Sequence, residues 1–261
     1  MKFNFRKHKI NLLVSIAASM LSSHSFAQDS LKQTNHSATL KTQFSQIKDA
    51  FNYGLVFTGL NVVGEYSLEK TTEKVTIIYN PEFSFGANFN KGVGVACGIN
   101  PIDFFIGRNI NKSKLKPFLL GAYFLTDYNW QLYPYLQGGQ MFWFTSIEAG
   151  PQIIFAIPIK QQKVKIRFSN SLAGLTSRPK PATEQYFYSL KFSDFITNAN
   201  SNFEMGYYNL FNHTKLEFEL LCNPNKKLSL AYEFEYFGYY KAPRLIYISH
   251  SLNLKWKLGK L

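Results

Sequence analysis

Acidic residues on two neighbouring segments form the feature of this sequence with the clearest chemical potential. Glu217 and Glu219 alternate with apolar residues, and so do Glu233 and Glu235 further along the chain. Alternate side chains of a strand share one face, so a hairpin closed at 223–226 would place the four carboxylates side by side. Carboxylates at that spacing repel one another unless water, cations or basic side chains compensate them.

Basic residues that could compensate these carboxylates share their face. Lys215 lies on the same strand, and Lys255 and Lys257 lie on the last strand. The spacing predicts an inward-facing charged cluster of Lys215, Glu217, Glu219, Glu233, Glu235, Lys255 and Lys257. We expect Lys215 to be the first ion-pair partner, and we favour a salt-bridged interior over a cation- or ligand-binding one.

A second candidate for chemistry is the run Ser249-His250-Ser251. A nucleophilic serine needs an imidazole within hydrogen-bond reach and a third group that orients the ring. His250 is in phase with Leu252, whereas both serines are in phase with Lys255. The hydroxyls and the imidazole should therefore face opposite sides of the strand, so no catalytic residue is predicted.

Metal and cofactor sites have little support in the sequence. His36, His213 and His250 are scattered, and the chain has no Asp-rich loop of the calcium-binding type. Cys97 is in phase with neighbouring apolar residues and is interpreted as a small hydrophobic side chain. We therefore expect no metal site and no cofactor.

The elements that must position these residues are long strands. Apolar and polar residues alternate over 75–89, 228–236 and 251–258. The turn signals divide the chain into segments, several of them about 15 residues long, where five or six is usual. Twelve strands are predicted at 53–68, 74–89, 92–106, 116–126, 129–138, 141–159, 163–177, 184–195, 201–210, 214–222, 227–239 and 244–258. Ten is the alternative, because apolar residues occupy both faces over 116–145.

The N-terminus predicts export. A basic start and a short apolar run lead to Ser25-Phe26-Ala27, the small-x-small pattern of signal-peptidase cleavage. We therefore assign 1–27 to a cleaved signal peptide, 28–50 to a polar periplasmic lead-in and 51–261 to the strand domain. Cleavage removes four basic and no acidic residues, which lowers the formal net charge from +13 to +9. For an exported chain, this excess favours lipid phosphate over nucleic acid as the anionic partner.

These features together resemble a bacterial outer-membrane β-barrel. The resemblance covers about 50–261 and implies an all-β fold, an antiparallel transmembrane up-and-down barrel with apolar side chains towards lipid. It predicts Phe83 and Phe85 on the lipid face and Glu82, Ser84 and Asn88 in the lumen. The Tyr and Trp residues over 123–143 and 207–240 are interpreted as interface belts.

The expected role is structural or interactive, or binding in a narrow lumen, without enzyme activity. The resemblance implies an outer-membrane location, contact with outer-membrane lipid and a possible envelope protein partner, and no nucleic acid is expected. Three alternatives stay open at this point. One is an outer-leaflet lipid-acyl hydrolase, the second is a small cation-preferring pore, and the third is a secreted soluble barrel.

Overall fold

The computed structural model describes residues 33–52, 54–72, 74–110, 118–136, 140–159, 162–179, 191–221 and 227–260. The predicted signal peptide and residues 28–32 lie outside these ranges. Among the described residues, no helix is long and apolar enough to cross a bilayer.

Within these ranges the chain forms thirteen strands in one antiparallel sheet, a 3-10 turn at Ala50–Asn52 and one helix, α1, at Phe192–Ala199. The strands are β1 Gln33–Asp49, β2 Val56–Thr71, β3 Val75–Tyr79, β4 Glu82–Phe89, β5 Val93–Asn109, β6 Phe118–Tyr133, β7 Gln140–Ile159, β8 Gln162–Asn170, β9 Ala173–Ser177, β10 Phe203–Tyr207, β11 Phe211–Leu221, β12 Leu228–Tyr239 and β13 Leu245–Lys260.

The sheet closes on itself into a barrel. β13 pairs with both β1 and β12, and β8 pairs with both β7 and β11, so the hydrogen-bonded circuit has no open edge there. Three positions are each filled by two consecutive segments, namely β3 with β4, β8 with β9, and β10 with β11. The circuit therefore has ten strand positions. This number agrees with the alternative prediction of ten strands and not with the prediction of twelve.

The assignment of 28–50 to a lead-in is wrong for residues 33–49. This segment is β1, which pairs with β2 on one side and β13 on the other. Its buried positions are polar, including Ser37, Lys41 and Ser45, while Leu40 and Phe44 are exposed. The barrel therefore begins at Gln33. The polar inner face of β1 explains why the sequence of this segment resembles a polar lead-in.

Two other predicted boundaries are also wrong. Residues 116–126 and 129–138 were expected to be separate strands, but β6 runs unbroken from Phe118 to Tyr133. The predicted strand 184–195 overlaps α1, which begins at Phe192, and residues 180–190 lie outside the described part. The N–H of Lys191 donates to the Asp194 carboxylate at 2.8 Å, which caps α1.

The two ends of the barrel differ in the connections that they carry. We call the end with the β1–β2 and β12–β13 connections the loop end, and the end with Gln33 and Lys260 the terminal end. The short turn at 90–92 joins β4 to β5 at the loop end, away from both termini, because β1 is an additional strand before β2.

The two faces of the wall invert the pattern of a soluble protein. Phe83 and Phe85 are 53% and 56% exposed on the outside, whereas Asn88 is 3% exposed and faces inward. Inward side chains over much of the barrel are polar or charged. This arrangement is the one that the alternation over 75–89 predicts, and it suits an apolar medium outside the wall.

Candidate functional site

The barrel interior is organised around one buried cation, Lys41 of β1. Its Nζ lies 2.9 Å from carboxylate oxygens of both Glu65 and Glu82, and 3.3 Å from Glu233. The Lys41 side chain is only 5% exposed. One amine thus joins β1 to β2, β4 and β12. The sequence analysis missed Lys41 because it lay in the segment assigned to the lead-in.

The structure brings five of the seven predicted cluster residues into ion pairs with one another or with Lys41. Lys215 Nζ lies 3.4 Å from Glu235, and Lys255 Nζ lies 3.7 Å from Glu219. Glu233 is the third partner of Lys41.

The remaining two predicted residues behave differently. Glu217 pairs with Arg167 of β8, whose Nε lies 3.5 Å from its carboxylate. Lys257 is exposed near the end of β13 and takes part in none of the ion pairs among the described residues. The interior cluster therefore includes Lys41 and Arg167 in addition to the predicted residues, and excludes Lys257.

A histidine forms the second buried centre. His213 Nδ1 contacts Glu148, and its Nε2 lies 2.8 Å from Glu235. An imidazolium ring donates from both nitrogens, so it matches two carboxylate acceptors. Glu235 also accepts a hydrogen bond from Ser249 at 3.1 Å, and Gln43 donates to Ser249 at 3.1 Å. The sequence analysis counted His213 among three scattered histidines; its parity with the inward-facing Lys215 was the signal that could have found this centre.

The space left within the charged layer is small. The cavity bordered by Lys41, Arg167 and Lys215 has about 20 Å³ open to the centres of water molecules, room for about one water. Towards the loop end the interior is filled by an aromatic and aliphatic plug, formed by Ile47, Phe57, Tyr133, Phe142, Phe144, Phe211, Phe237, Tyr239 and Leu245. Tyr133 is thus not part of an interface belt, and neither is Tyr123, which packs in another inner cluster.

An arginine ties the loop end together above this plug. Arg178 Nη2 lies 2.5 Å from Asp49, and its Nη1 donates to the carbonyl of Pro243. The guanidinium carbon also lies 5.2 Å and 5.5 Å from the ring centroids of Phe51 and Tyr239, within cation–π range. Three connections of the loop end therefore meet at one buried side chain.

The structure does not bring the Ser249-His250-Ser251 run together as a Ser–His pair. Ser249 and Ser251 are buried inside, while His250 is exposed on the outer face and its Nδ1 lies 2.7 Å from the Tyr232 hydroxyl. Among the described residues, no three His, Cys, Asp or Glu side chains form a group that could hold a metal ion.

Comparison with known proteins finds likeness in fold alone. No protein-family profile and no curated protein sequence matches the chain. The solved structure of the outer-membrane protease OmpT from Escherichia coli matches with a TM-score of 0.54 and 7% identity, covering 88% of this chain and 98% of that one.

Domains of two autotransporters also match. The translocator domain of NalP from Neisseria meningitidis has a TM-score of 0.46 and 7% identity, covering 95% of this chain and 97% of that one. The β domain of the Bordetella autotransporter BrkA has a TM-score of 0.46 and 9% identity, covering 87% of this chain and 100% of that one. The closed barrel and the OmpT match show that the chain has the fold of an outer-membrane β-barrel.

Proposed function

We propose that this chain is an outer-membrane β-barrel with a closed interior, which acts as a structural or interaction component of the envelope through its outer wall and its loop end. The observation that carries the proposal is the filled lumen. Paired charges occupy its centre and an aromatic plug occupies the loop half. Barrels of about this size are filled by side chains, whereas open aqueous channels appear at 16–18 strands.

The outer wall supports a membrane location. Large apolar side chains are exposed around the barrel, for example Val62 at 54%, Phe85 at 56% and Leu252 at 62%. Such a continuous apolar surface is rare on a soluble monomer. The predicted signal peptide at 1–27 supplies the route to the envelope, and N-terminal sequencing of the mature form should begin at Gln28.

The two alternative functions have weaker support. A cation-preferring pore needs a continuous water column past Glu233 and Glu235, but Lys41, Lys215 and His213 neutralise these carboxylates across the lumen. A lipid-acyl hydrolase on the last strand needs Ser249 or Ser251 beside His250, which faces the other side. The protease activity named for OmpT does not transfer at 7% identity.

Single-channel recording in planar bilayers tests the closed lumen. We expect the inserted protein to show no steady conductance, because no water-filled path crosses the charged layer. Insertion must be shown separately, by co-flotation with liposomes and by heat-dependent migration on gels. Otherwise an absence of current caused by failed insertion would be mistaken for a closed lumen. A steady cation-selective current that is lost on combining Glu233→Gln with Glu235→Gln would replace this proposal with the pore.

A further inference from the structure

One patch of the outer wall differs from the rest because it is polar and buried. We call it the covered patch, and it consists of residues that are 0% to 8% exposed, although they face outward: Thr126, Trp130, Trp143, Thr145 and Ser177. Residues directly opposite each other in an antiparallel pair share one face. Trp130 pairs with Trp143, and Thr145 pairs with Ser177. Leu175 lies two residues before Ser177 on β9, so it shares the face of Ser177, and it is exposed on the outside of the barrel.

Helix α1 covers the two tryptophans of this patch from outside the barrel. Ala199 is fully buried against Trp130 and Trp143, and Phe195 packs on the same cluster. At the end of the helix, the Tyr128 hydroxyl donates to Asn200 Oδ1 at 3.2 Å.

Five polar atoms of the covered patch have no hydrogen-bond partner among the described residues. They are Trp130 Nε1, Trp143 Nε1, Thr126 Oγ1, Thr145 Oγ1 and Ser177 Oγ. Buried polar groups are nearly always hydrogen-bonded, and an unsatisfied one costs about 1–3 kcal/mol. Five of them on one face of β6, β7 and β9 indicate that a group outside the described residues satisfies them.

The chemistry of these five groups points to a ligand rich in acceptors. An indole N–H can only donate, and a hydroxyl can donate to an acceptor beside it. The patch itself contains no carboxylate that could serve as the acceptor. A phosphate or an ester group offers several acceptor oxygens in a small volume, which fits several donors on adjacent strands.

The depth of the patch on the wall identifies the source of such a group. Trp130 lies three residues before the end of β6 and Trp143 three residues after the start of β7. At about 3.3 Å per residue, both indoles are about 10 Å along their strands from the loop end. Outer-membrane barrels carry girdles of aromatic side chains at both membrane interfaces, and two tryptophans this near the loop end match such a girdle.

We propose that the covered patch binds the headgroup of a phospholipid between α1 and the barrel wall, through its phosphate and ester oxygens. The site rests on the proposed membrane location. The two indole N–H groups and the hydroxyls of Thr145 and Ser177 donate to the headgroup, and Phe195 and Ala199 of α1 close over it. The isolated eight-residue helix is too short to be stable in water, so its position depends on what lies beneath it.

The three tryptophans of the chain allow a direct test. A Trp256→Phe variant leaves only the two indoles of the covered patch. In non-ionic micelles free of phospholipid, added dihexanoyl phosphatidylglycerol should change its emission in a saturable manner. Thr145→Val keeps the shape but removes the hydroxyl, and it should weaken the apparent affinity about fivefold, since one hydrogen bond is lost. Thr145→Ser keeps a hydroxyl and should retain most of the affinity.

A matched control separates binding from general lipid uptake. The variant with Trp130→Phe and Trp143→Phe leaves only Trp256, which is exposed on the outer face of β13, and it should show no saturable response. Equal responses from both variants, no response at the patch, or an affinity unchanged by Thr145→Val would each overturn the proposal. Heat-dependent gel migration verifies that each variant is folded.

A separate measurement tests the proposed membrane location. In liposomes with brominated acyl chains, the emission of Trp256 in the variant with Trp130→Phe and Trp143→Phe should be quenched if the barrel is embedded. Unquenched Trp256 overturns the proposed function and, with it, this site. Quenched Trp256 without a saturable response at the covered patch overturns only the headgroup site.

Discussion

The charged centre of the lumen and the covered patch on the outer wall both bury polar groups, but they satisfy them differently. Lys41 meets three carboxylates within 3.3 Å. Trp130 and Trp143 are cross-strand neighbours, yet neither indole N–H has a partner among the described residues. Burial therefore has a different meaning at these two places: around Lys41 it accompanies pairing, and at the covered patch it leaves donors unused.

The curvature of the wall explains the difference. Side chains on the inner face converge, so residues of distant strands can meet, as Lys41 of β1 and Glu82 of β4 do. Side chains on the outer face diverge and can reach only their immediate neighbours. A polar group outside must therefore find a partner on its own strands, on a covering segment or in the surrounding medium.

The largest effect is expected from removing the central cation. Lys41→Met leaves the partly buried carboxylates of Glu65, Glu82 and Glu233 without their shared partner. Breaking a buried ion pair from one side costs about 3–5 kcal/mol, so the free energy of unfolding should fall by about that amount in urea titrations in micelles.

Lys257→Met is the matched control, because Lys257 shares the face of Lys255 but is exposed. Its effect on the free energy of unfolding should stay within about 0.5 kcal/mol. Equal losses for the two variants would show that the lumen does not depend on pairing at Lys41.

The second expected effect concerns the medium outside the wall. Phe83 lies near the middle of the β3–β4 position and is 53% exposed. Phe83→Arg should lower the free energy of unfolding in liposomes by about 2–4 kcal/mol, because the bilayer centre does not solvate the charge.

Val93→Arg provides a comparison at a different depth. Val93 is the first residue of β5, at the loop end, and is 59% exposed. A charge near the interface costs only about 0–1 kcal/mol. If both substitutions cost the same, the wall is not embedded at the depth that the fold implies.

The sequence predicts the faces of the wall where the alternation is strong. Phe83 and Phe85 face outward, and Lys215, Glu217 and Glu219 share the inner face, because these strands have apolar outer positions and polar inner ones. Fold class follows from that pattern together with the signal peptide and the length of the strands.

Two strands could not be predicted, for opposite reasons. The outer face of β1 includes Thr42 and Gln46 beside Leu40 and Phe44, so its alternation is weak. On β6 the inner face includes Tyr123, which packs in an apolar inner cluster, so apolar residues occupy both faces. Lys41 as the central cation was missed for the first reason. The covering of Trp130 and Trp143 by α1 depends on a contact distant in sequence, which no local pattern contains.

The smallest expected effect compares two buried serines on the two sides of the wall. Ser229 in the lumen donates to Glu219 at 2.7 Å, whereas the Ser177 hydroxyl in the covered patch has no partner among the described residues. Ser229→Ala should lower the free energy of unfolding by about 1.5–3 kcal/mol, since it removes a hydrogen bond to a charged group. Ser177→Ala should be neutral or slightly stabilising in micelles without phospholipid, because it removes an unsatisfied hydroxyl. Urea titrations of the two single variants and of their combination measure both changes in the free energy of unfolding. The two changes should add, because the residues share no partner. A loss at Ser177 as large as that at Ser229 would mean that the covered hydroxyl is satisfied within the protein, and the contrast between the two sides of the wall would then not hold.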